Sequence, residues 1–343
     1  MKGCVFGSHR VIEPVGSLPQ AAMRIDNSPD IMDNEILIDV RTLNVDSASF
    51  TQIREACRDD VDEIAKMIKS IVESRGKLQN PVTGSGGMLI GTISQIGKSL
   101  ADRNLKLGDR IATLVSLSLT PLLIEKIENV YIDRDQVDIK GSAVLFESGI
   151  YAKLPDDLPE RLSLAVLDVA GAPAQVDRLV SEGMTVAVMG AGGKSGVLCC
   201  YEAKKKAGPS GRVIAVEYSR ENTRRLLEMG LADEIIMGDA TKPLEIYDRV
   251  KSVTDDGLCD VVINNVNVPG TEMSSILSTR TGGTVYFFSM ATSFTKAALG
   301  AEGVGKDIDM IIGNGYAEGH ADLALNILRE SSKIRELFEK LYV

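Results

Sequence analysis

The stretch Thr185–Glu217 contains TVAVMG, then AGGKSG, then a helix-like segment to Ala207, and finally RVIAVE. A strand of small and β-branched residues leads directly into a glycine cluster, and a second strand ends on a carboxylate. Gly190 permits the tight turn after the strand, and Gly192 lets a pyrophosphate approach the backbone. The following helix offers free N–H groups and the positive end of its dipole. This order predicts a dinucleotide-binding βαβ unit.

The glycine spacing departs from the usual G-x-G-x-x-G pattern, because the last position counted from Gly190 is Ser195. Gly193, Lys194 and Ser195 also resemble the end of a P-loop. That motif needs a glycine five residues before Gly193, and Val188 stands there inside the predicted strand. We therefore exclude a P-loop and expect all three residues to lie at the dinucleotide phosphates. For Lys194, an ordinary surface position is an equally good interpretation.

The residues after the second strand bear on the choice of cofactor. Glu217 stands where a carboxylate accepts hydrogen bonds from the adenosine ribose hydroxyls, and its charge repels a 2′-phosphate. This favours NAD. Ser219 and Arg220 follow at once and would bind such a phosphate if Glu217 turned away. We therefore expect NAD, with some tolerance of NADP.

Composition and charge limit the class of protein. The chain has 343 residues, 44% of them hydrophobic and 25% charged, as in an ordinary soluble protein long enough for two domains. Its net charge of −10 argues against a nucleic-acid partner or an anionic membrane surface. The start lacks the apolar core of a signal peptide, and no uncharged stretch is long enough to span a bilayer. Five cysteines without a C-x-x-C pair indicate reduced thiols, so we expect a cytoplasmic protein.

A change of pattern along the chain predicts two domains. In the first, short β-branched runs such as Glu35–Val40 alternate with many glycines, which indicates a mainly β domain. The segment Leu154–Pro159 is the predicted boundary, so the domains are 1–155 and 156–343. Within the first domain, the apolar residues of 54–75 fall on one helical face and predict a helical insertion that ends at Gly76.

From Thr185 onward, strands alternate with helices, which predicts an α/β, doubly wound, six-stranded parallel sheet. The candidate strands are 185–189, 212–217, 234–237, 260–264, 283–289 and 308–313. The ligand of such a sheet lies beyond the carboxyl ends of its strands. The segment 322–343 is expected to form one or two closing helices.

Polar residues follow several of these strand ends. Asn264 and Asn265 come after the fourth candidate strand, Ser289 ends the fifth, and the loop Gly313–Tyr316 follows the sixth. Their side chains are candidates to hydrogen-bond a nicotinamide carboxamide. Ordinary loop chemistry explains them equally well. His320, beyond the last strand, is as compatible with a structural role as with a catalytic one.

Longer segments of the chain resemble a known superfamily. EILIDVRTLNVDSASF, GTISQIG, LKLGDRIA, YAKLPDDLP and TVAVMGAGGKSG are similar to the medium-chain dehydrogenase/reductases and span nearly the whole chain. NPVTGSGGMLIG, LDVAGAPAQV and FFSMATSFTKAALGAEGVGKD resemble a narrower family, the L-erythro-3,5-diaminohexanoate dehydrogenases. The resemblance implies a GroES-like first domain, a Rossmann second domain and a homodimer or homotetramer. The C-terminal helices are candidates to pack back on the first domain.

The resemblance to the narrower family also implies an activity. Its members oxidatively deaminate the 3-amino group of a cationic diamino acid with a nicotinamide cofactor. The products are 5-amino-3-oxohexanoate and ammonium, in lysine fermentation. A zinc-free quinone or enoyl reductase of the same superfamily and a dinucleotide-binding protein without turnover are the alternatives.

Departures from the zinc-dependent branch imply an enzyme without a metal. Asn44 stands at the position of the first zinc ligand, Gly87 and Met88 at those of the G-H-E turn, and Asp168 at or near the third ligand. Asp46 occupies the position where the superfamily's proton relay begins. The resemblance thus implies Asp46 as a general base and Asp168 as a second carboxylate. A helix cap for Asp46 and a partnered buried acid for Asp168 are the structural alternatives.

The substrate carboxylate needs a cation or a set of N–H donors. Arg10, with its neighbour His9, and the backbone amides of Thr83–Gly87 are candidates. We also expect Asn44 to contact the substrate. For Arg10, a surface position is the alternative.

Overall fold

The computed structural model describes residues 1–313 and 315–343, and they form two compact units. The first unit is Met1–Asp168 with Lys340–Val343, and the second is Val169–Glu339. The boundary between the two units lies after Asp168, beyond the helix that follows the predicted boundary at residue 155. That helix, Glu160–Leu167, belongs to the first unit, where Glu160 forms ion pairs with Arg41 and Arg110 at 2.7 Å each.

The first unit is built mainly of antiparallel strands, as the sequence predicts. Its strands are β1 (Val11–Glu13), β2 (Arg24–Ile25), β3 (Glu35–Val45), β4 (Gly87–Ile96), β5 (Arg110–Thr113), β6 (Leu122–Tyr131), β7 (Gln136–Phe146) and β8 (Tyr151–Lys153). β1 pairs with β2, and the others form a six-stranded sheet in the order β6-β7-β3-β4-β5-β8. β3 lies between β4 and β7, so its carboxyl end is held on both sides.

The predicted helical insertion is two helices, α1 (Ser47–Cys57) and α2 (Val61–Arg75). Arg58 and Asp59 between them have φ of 53° and 58°, so the helix cannot continue through them. Asp60 then caps α2 by accepting from the amides of Asp62 and Glu63. The predicted end at Gly76 is confirmed, with φ of 72°. The inward faces of both helices are buried in the core of the first unit.

The second unit contains the six-stranded parallel sheet predicted from the sequence. Its strands are β9 (Thr185–Met189), β10 (Arg212–Glu217), β11 (Glu234–Met237), β12 (Cys259–Asn264), β13 (Thr279–Phe287) and β14 (Asp309–Ile312). The order β11-β10-β9-β12-β13-β14 places β9 at the point where the winding reverses. Ligands of doubly wound sheets bind at this point, beyond the carboxyl ends of the strands.

Helices connect and close this sheet. The helix α3 (Glu160–Leu167) belongs to the first unit. The helices that follow it are α4 (Gly171–Leu179), α5 (Lys194–Ala207), α6 (Arg220–Met229), α7 (Pro243–Val253), α8 (Glu272–Ser278), α9 (Phe294–Gly303), α10 (His320–Glu330) and α11 (Ser332–Tyr342). The closing segment is thus two helices. None of the helices in the described part of the chain combines the length and apolarity needed to cross a membrane.

Candidate functional site

The glycine loop after β9 explains the irregular spacing of the motif. Gly190 has φ of 71°, in the left-handed region that glycine adopts without strain. An alanine at Gly192 would place its Cβ 2.4 Å from Cβ of Asn222, and one at Gly196 would place it 2.1 Å from the carbonyl oxygen of Gly190. Gly196, one residue after the expected position, therefore permits the close packing of helix against turn.

The amino end of α5 follows this loop. Gly193 is its N-cap, and no side-chain cap of this helix is seen among the described residues. A Cβ at Gly193 would meet its nearest neighbour at 3.5 Å, an ordinary contact. Gly193 is exposed, and Lys194 and Ser195 are half-buried in the first turn. The N-terminal position of this turn and the helix dipole make it suitable for a phosphate.

Glu217, at the end of β10, is buried and held by the backbone around it. Its Oε2 accepts from the amide of Gly192 at 2.8 Å, and its Oε1 accepts from the amide of Ser219 at 2.9 Å and from Nδ2 of Asn222 at 3.4 Å. The carboxylate therefore joins the glycine loop to the start of α6. Ser219 caps α6 through the amide of Asn222 at 3.3 Å, and Arg220 is exposed on its first turn.

The two asparagines at the end of β12 have opposite environments. Asn264 is fully buried, and its Nδ2 donates to Thr271 Oγ1 at 2.9 Å and to Ser275 Oγ at 3.0 Å. It holds the loop, which leaves it poorly suited to a ligand. Asn265 is 8% exposed, and its carboxamide has no nitrogen or oxygen partner among the described residues; the buried Cys199 thiol lies beside it. A buried amide without partners is costly, so Asn265 is the better candidate to bind a ligand.

Ser289, the loop Gly313–Tyr316 and His320 are the other features predicted near these strand ends. Ser289 is buried after β13; its Oγ donates to Asn267 Oδ1 at 3.4 Å and accepts from the amide of Ala291 at 3.1 Å, which shapes the turn. Asn314, in the loop predicted to border the ligand, lies outside the described residues. His320 begins α10, its ring edge-on to Tyr316 at 5.1 Å, and burial lowers its pKa. It is therefore a neutral, packed side chain.

In the first unit, Asp46 follows β3 and caps α1, as the structural alternative predicts. Its Oδ1 accepts from the amide of Ser49 at 3.0 Å, whereas its buried Oδ2 has no partner in the part of the chain that the structure describes. An alanine at Gly87 would bring its Cβ within 2.8 Å of the Asp46 nitrogen, so the loop before β4 lies tightly against this residue. Thr83, in that loop, is exposed. A carboxylate oxygen that is buried and unpaired is a strong acceptor for a ligand.

Asn44, two residues before Asp46, belongs to a polar network that the sequence did not reveal. Its Oδ1 accepts from Gln136 Nε2 at 3.4 Å, and Arg161 donates to Gln136 Oε1 at 3.0 Å and to Asp138 Oδ2 at 2.9 Å. The Arg161 guanidinium lies over the ring of Tyr131 at 4.5 Å. Its side chain is 28% exposed and keeps N–H groups for another anion. The pairing of β3 with β7 brings these residues together, and no spacing in the sequence predicts it.

Arg10 and His9 occupy a different part of the first unit. Arg10 is buried and donates to both oxygens of Glu35 at 2.7 Å, and further to the carbonyl oxygens of Ser28 and Asp30. His9 Nε2 lies 2.9 Å from the same carboxylate. Burial opposes ionisation of Glu35, but these hydrogen bonds outweigh it and hold its pKa below the usual value. The prediction that Arg10 binds the substrate carboxylate is not supported, because its donors are used in the interior.

Asp168 is the C-cap of α3 and is half-buried, with its amide bonded to the Leu164 carbonyl.

The residues at the positions of the zinc ligands do not fit a metal site. Asn44 is bound to Gln136, and Gly87 has no side chain. Among residues 1–313 and 315–343, no three His, Cys, Asp or Glu side chains are grouped as metal ligands would be.

Comparison with known sequences decides the family. The family model of the L-erythro-3,5-diaminohexanoate dehydrogenase N-terminal domain matches residues 9–155. A protein named L-erythro-3,5-diaminohexanoate dehydrogenase from Acetoanaerobium sticklandii is 61% identical over 344 residues, with 100% of both chains covered. The chain belongs to the L-erythro-3,5-diaminohexanoate dehydrogenase family. A second member, from Fusobacterium nucleatum, is 57% identical and covers 100% of this chain and 99% of its own. The narrower resemblance noted from the sequence is confirmed.

Solved structures of low sequence identity share the fold of this chain. A quinone oxidoreductase from Pseudomonas syringae superposes with a TM-score of 0.54 and 18% identity, covering 94% of this chain and 85% of that one. A mycobacterial protein solved in complex with NADPH gives a TM-score of 0.53 at 16% identity, covering 95% and 87%. At these identities the likeness shows the fold alone. It confirms the α/β fold class, and the family names show a dehydrogenase.

Proposed function

We propose that the protein catalyses the NAD(P)-dependent oxidative deamination of L-erythro-3,5-diaminohexanoate to 5-amino-3-oxohexanoate and ammonium, with NAD preferred. The observation that carries this proposal is the full-length identity of 61% and 57% to two relatives of that name. In the balanced reaction, the ammonium form of the substrate, NAD⁺ and water give the ketone, NADH, ammonium and one proton.

The second unit offers a fitting site for the dinucleotide. The first turn of α5, after Gly193, suits the pyrophosphate through the helix dipole, and the carboxamide of Asn265, which has no nitrogen or oxygen partner among the described residues, suits the nicotinamide end. Gly192 lacks the Cβ that would overlap Asn222, and its amide donates to the carboxylate of Glu217. When bound, the nicotinamide supplies the hydride acceptor. Lys194, Ser195 and Ser289 remain candidates at the edge of this site.

The preference for NAD rests on Glu217. Its carboxylate is already fixed by three N–H donors, from Gly192, Ser219 and Asn222. A 2′-phosphate would be placed against this negative charge, whereas ribose hydroxyls would donate to it. The Ser219 hydroxyl caps α6. Arg220 is exposed, so it is the remaining candidate to bind a 2′-phosphate, and it would account for some use of NADP.

The first unit supplies the acid–base chemistry. The substrate must lose a proton from its 3-ammonium group, because only a neutral amine has the electron pair that expels the hydride. We assign that proton to Oδ2 of Asp46, which is buried and has no partner among the described residues, and the same carboxylate would then activate the water that hydrolyses the iminium. Asp168, at the end of α3, remains a candidate for the second ammonium group.

We assign the substrate carboxylate to Arg161 in place of Arg10. The Arg161 guanidinium is partly exposed and lies in the network that includes Asn44. Its planar array of donors matches a carboxylate. Asn44 and Thr83 stay in the proposal as substrate contacts. The reaction is proposed to proceed without zinc, since the positions of the zinc ligands do not fit a metal.

Association, location and pathway are also proposals. We propose a homodimer or homotetramer joined through the edge strand β14, where Met310 and Ile312 are 37% and 54% exposed. A cytoplasmic location is proposed from the five cysteines without a C-x-x-C pair, and a role in lysine fermentation from the family resemblance.

The test is a spectrophotometric assay of cofactor reduction with purified protein, using 3,5-diaminohexanoate, simple β-amino acids and other diamino acids. We expect turnover with 3,5-diaminohexanoate and a higher kcat/KM with NAD than with NADP. Consumption of NADPH with quinones or enoyl thioesters, and none of the amines oxidised, would instead identify a reductase. Cofactor binding with no turnover of any substrate would identify a non-catalytic relative. A clear preference for NADP would remove the role given to Glu217.

A further inference from the structure

Two rows of polar side chains cross the sheet of the first unit near the carboxyl end of β3. Tyr131 of β6 pairs with Gln136 of β7, and Gln136 pairs with Asn44 of β3. Directly paired residues lie on the same face of a sheet, so these three side chains form one row. Asp138 pairs with Thr42 two residues away on the same strands and therefore forms a second row on that face.

Arg161 of α3 lies across both rows. Its Nη1 donates to Gln136 Oε1 at 3.0 Å, and its Nη2 donates to Asp138 Oδ2 at 2.9 Å. The guanidinium carbon is 4.5 Å from the centre of the Tyr131 ring, within the range of a cation–π interaction. A guanidinium group has five N–H donors, so these two hydrogen bonds leave donors for one more anion.

Tyr131 contacts both partners of the ion pair between Arg161 and Asp138. Its ring lies against the guanidinium, and its hydroxyl donates to Asp138 Oδ2 at 2.9 Å. Thr42 Oγ1 donates to the other oxygen of Asp138 at 2.8 Å. Because these two neutral donors share the charge of the carboxylate, Asp138 neutralises Arg161 less completely. Tyr131 thus orients the guanidinium and leaves more of its positive charge for another anion.

The position of these rows connects them to the proposed base. Asp46 follows Asn44 by two residues and has an extended backbone, with φ of −61° and ψ of 144°. The row that ends at Asn44 therefore leads toward Asp46. Arg134 lies over the same tyrosine ring at 5.3 Å, but its Nε pairs with the Asp133 carboxylate at 3.3 Å. Arg161 is therefore the arginine that the rows orient.

We propose that Tyr131 is a positioning residue that holds the Arg161 guanidinium in place for the carboxylate of the diamino acid substrate. This inference rests on the proposed function and specifies how one end of its substrate is selected. Tyr131 acts through Arg161 and has no contact of its own with the substrate. An amine that lacks the carboxylate gains nothing from this arrangement, so Tyr131 contributes to the choice of amino acids over simple diamines.

The substitutions Tyr131→Leu and Tyr131→Phe separate the ring from the hydroxyl. The leucine variant should raise KM for 3,5-diaminohexanoate about tenfold, within the range of a partly buried cation–π contact, and the phenylalanine variant about threefold. The value of kcat should change less than about twofold, because the lost interaction is made equally in the ground and transition states. Initial rates at saturating NAD give both constants. Tyr247→Leu is the matched control, since it removes a ring 6.0 Å from Lys251 in the second unit, and it should leave KM unchanged.

Two further measurements distinguish positioning from a general structural role. The competitive inhibition constant of 2,4-diaminopentane, which keeps both amines and lacks the carboxylate, should be the same in the Tyr131 variants and the unmodified protein. Arg161→Gln should itself raise KM, and adding Tyr131→Leu to it should have little further effect, because both changes remove one interaction.

Three results would overturn the positioning role. They are an unchanged KM in Tyr131→Leu, an equal loss of affinity for 2,4-diaminopentane, and full additivity of the Tyr131 and Arg161 substitutions. Absence of amine oxidation by the unmodified protein would instead refute the proposed function.

Discussion

At the scale of single residues, the glycines of the loop after β9 have different physical roles. Gly192 and Gly196 are required by the protein itself, because a Cβ at either would overlap neighbouring atoms. Gly193 is not, since its Cβ would meet only an ordinary contact at 3.5 Å. The sequence predicted the order of strand, glycine loop and helix, and the place of Glu217 at the end of the second strand. It assigned Gly192 to the pyrophosphate, whereas in the structure Asn222 of α6 lies where a Cβ of that residue would be, and no spacing in the sequence gives this distance.

Gly193→Ala should therefore weaken cofactor binding without weakening the fold. We expect Kd for NAD to rise at least about tenfold, or about 1.4 kcal/mol, because the new methyl group occupies the space of the pyrophosphate. The thermal unfolding midpoint without cofactor should change little. Calorimetric titration and thermal unfolding measure the two quantities. Gly196→Ala is the contrasting variant and should lose stability; an unchanged Kd for Gly193→Ala would contradict the assigned phosphate position.

Asp46 has an observed role as a helix cap and a proposed role as a base, and one substitution separates the two. Asparagine caps a helix about as well as aspartate, so Asp46→Asn should change the free energy of unfolding by less than about 0.5 kcal/mol. It cannot accept the substrate proton, and kcat should fall by about 100-fold or more. Denaturant titration and initial rates give both values. Turnover equal to that of the unmodified protein would leave Asp46 as a cap only.

Glu202 of α5 provides a pH-dependent test of stability. The residue is buried, its Oε2 has no partner in the described chain, and burial raises its pKa. The folded state therefore binds this proton more tightly than the unfolded state. Stability should fall as the pH rises from the usual glutamate pKa through the raised value. Glu202→Gln should unfold at a higher temperature than the parent near neutral pH, and the gap should narrow in acid. The exposed Glu182→Gln is the control; equal shifts in both variants would contradict this account.

At the scale of elements, the sequence predicted strands better than helix boundaries. The strands β9, β10 and β11 begin and end at the predicted residues, because glycine or polar residues bound the apolar part of each run. The segment 54–75 has a continuous helical pattern, yet it is broken at Arg58 and Asp59, whose positive φ values leave no mark in the hydrophobic period. Gln136 and Arg161 were missed for a related reason: strand register and the position of α3 bring them to Asn44.

At the scale of the whole molecule, the edge strand β14 allows a test of the proposed oligomer. Ile312→Asp should shift the protein from an oligomer to a monomer, because it places a charge in the proposed interface. Light scattering after size-exclusion chromatography measures the mass. Leu244→Asp, at an exposed position on α7, is the control and should leave the mass unchanged. An unaltered oligomer in the Ile312 variant would assign association to another surface.

The hydrogen bonds around Glu217 have a consequence for changing the coenzyme by design or by evolution. The carboxylate that we propose repels a 2′-phosphate also accepts hydrogen bonds from the amides of Gly192 and Ser219. Replacing it with a small neutral residue would admit the phosphate and, in the same step, release the loop that must cradle the dinucleotide. A route to NADP use therefore needs a second acceptor for those amides, for which Asn222, already 3.4 Å from the carboxylate, is the nearest starting point.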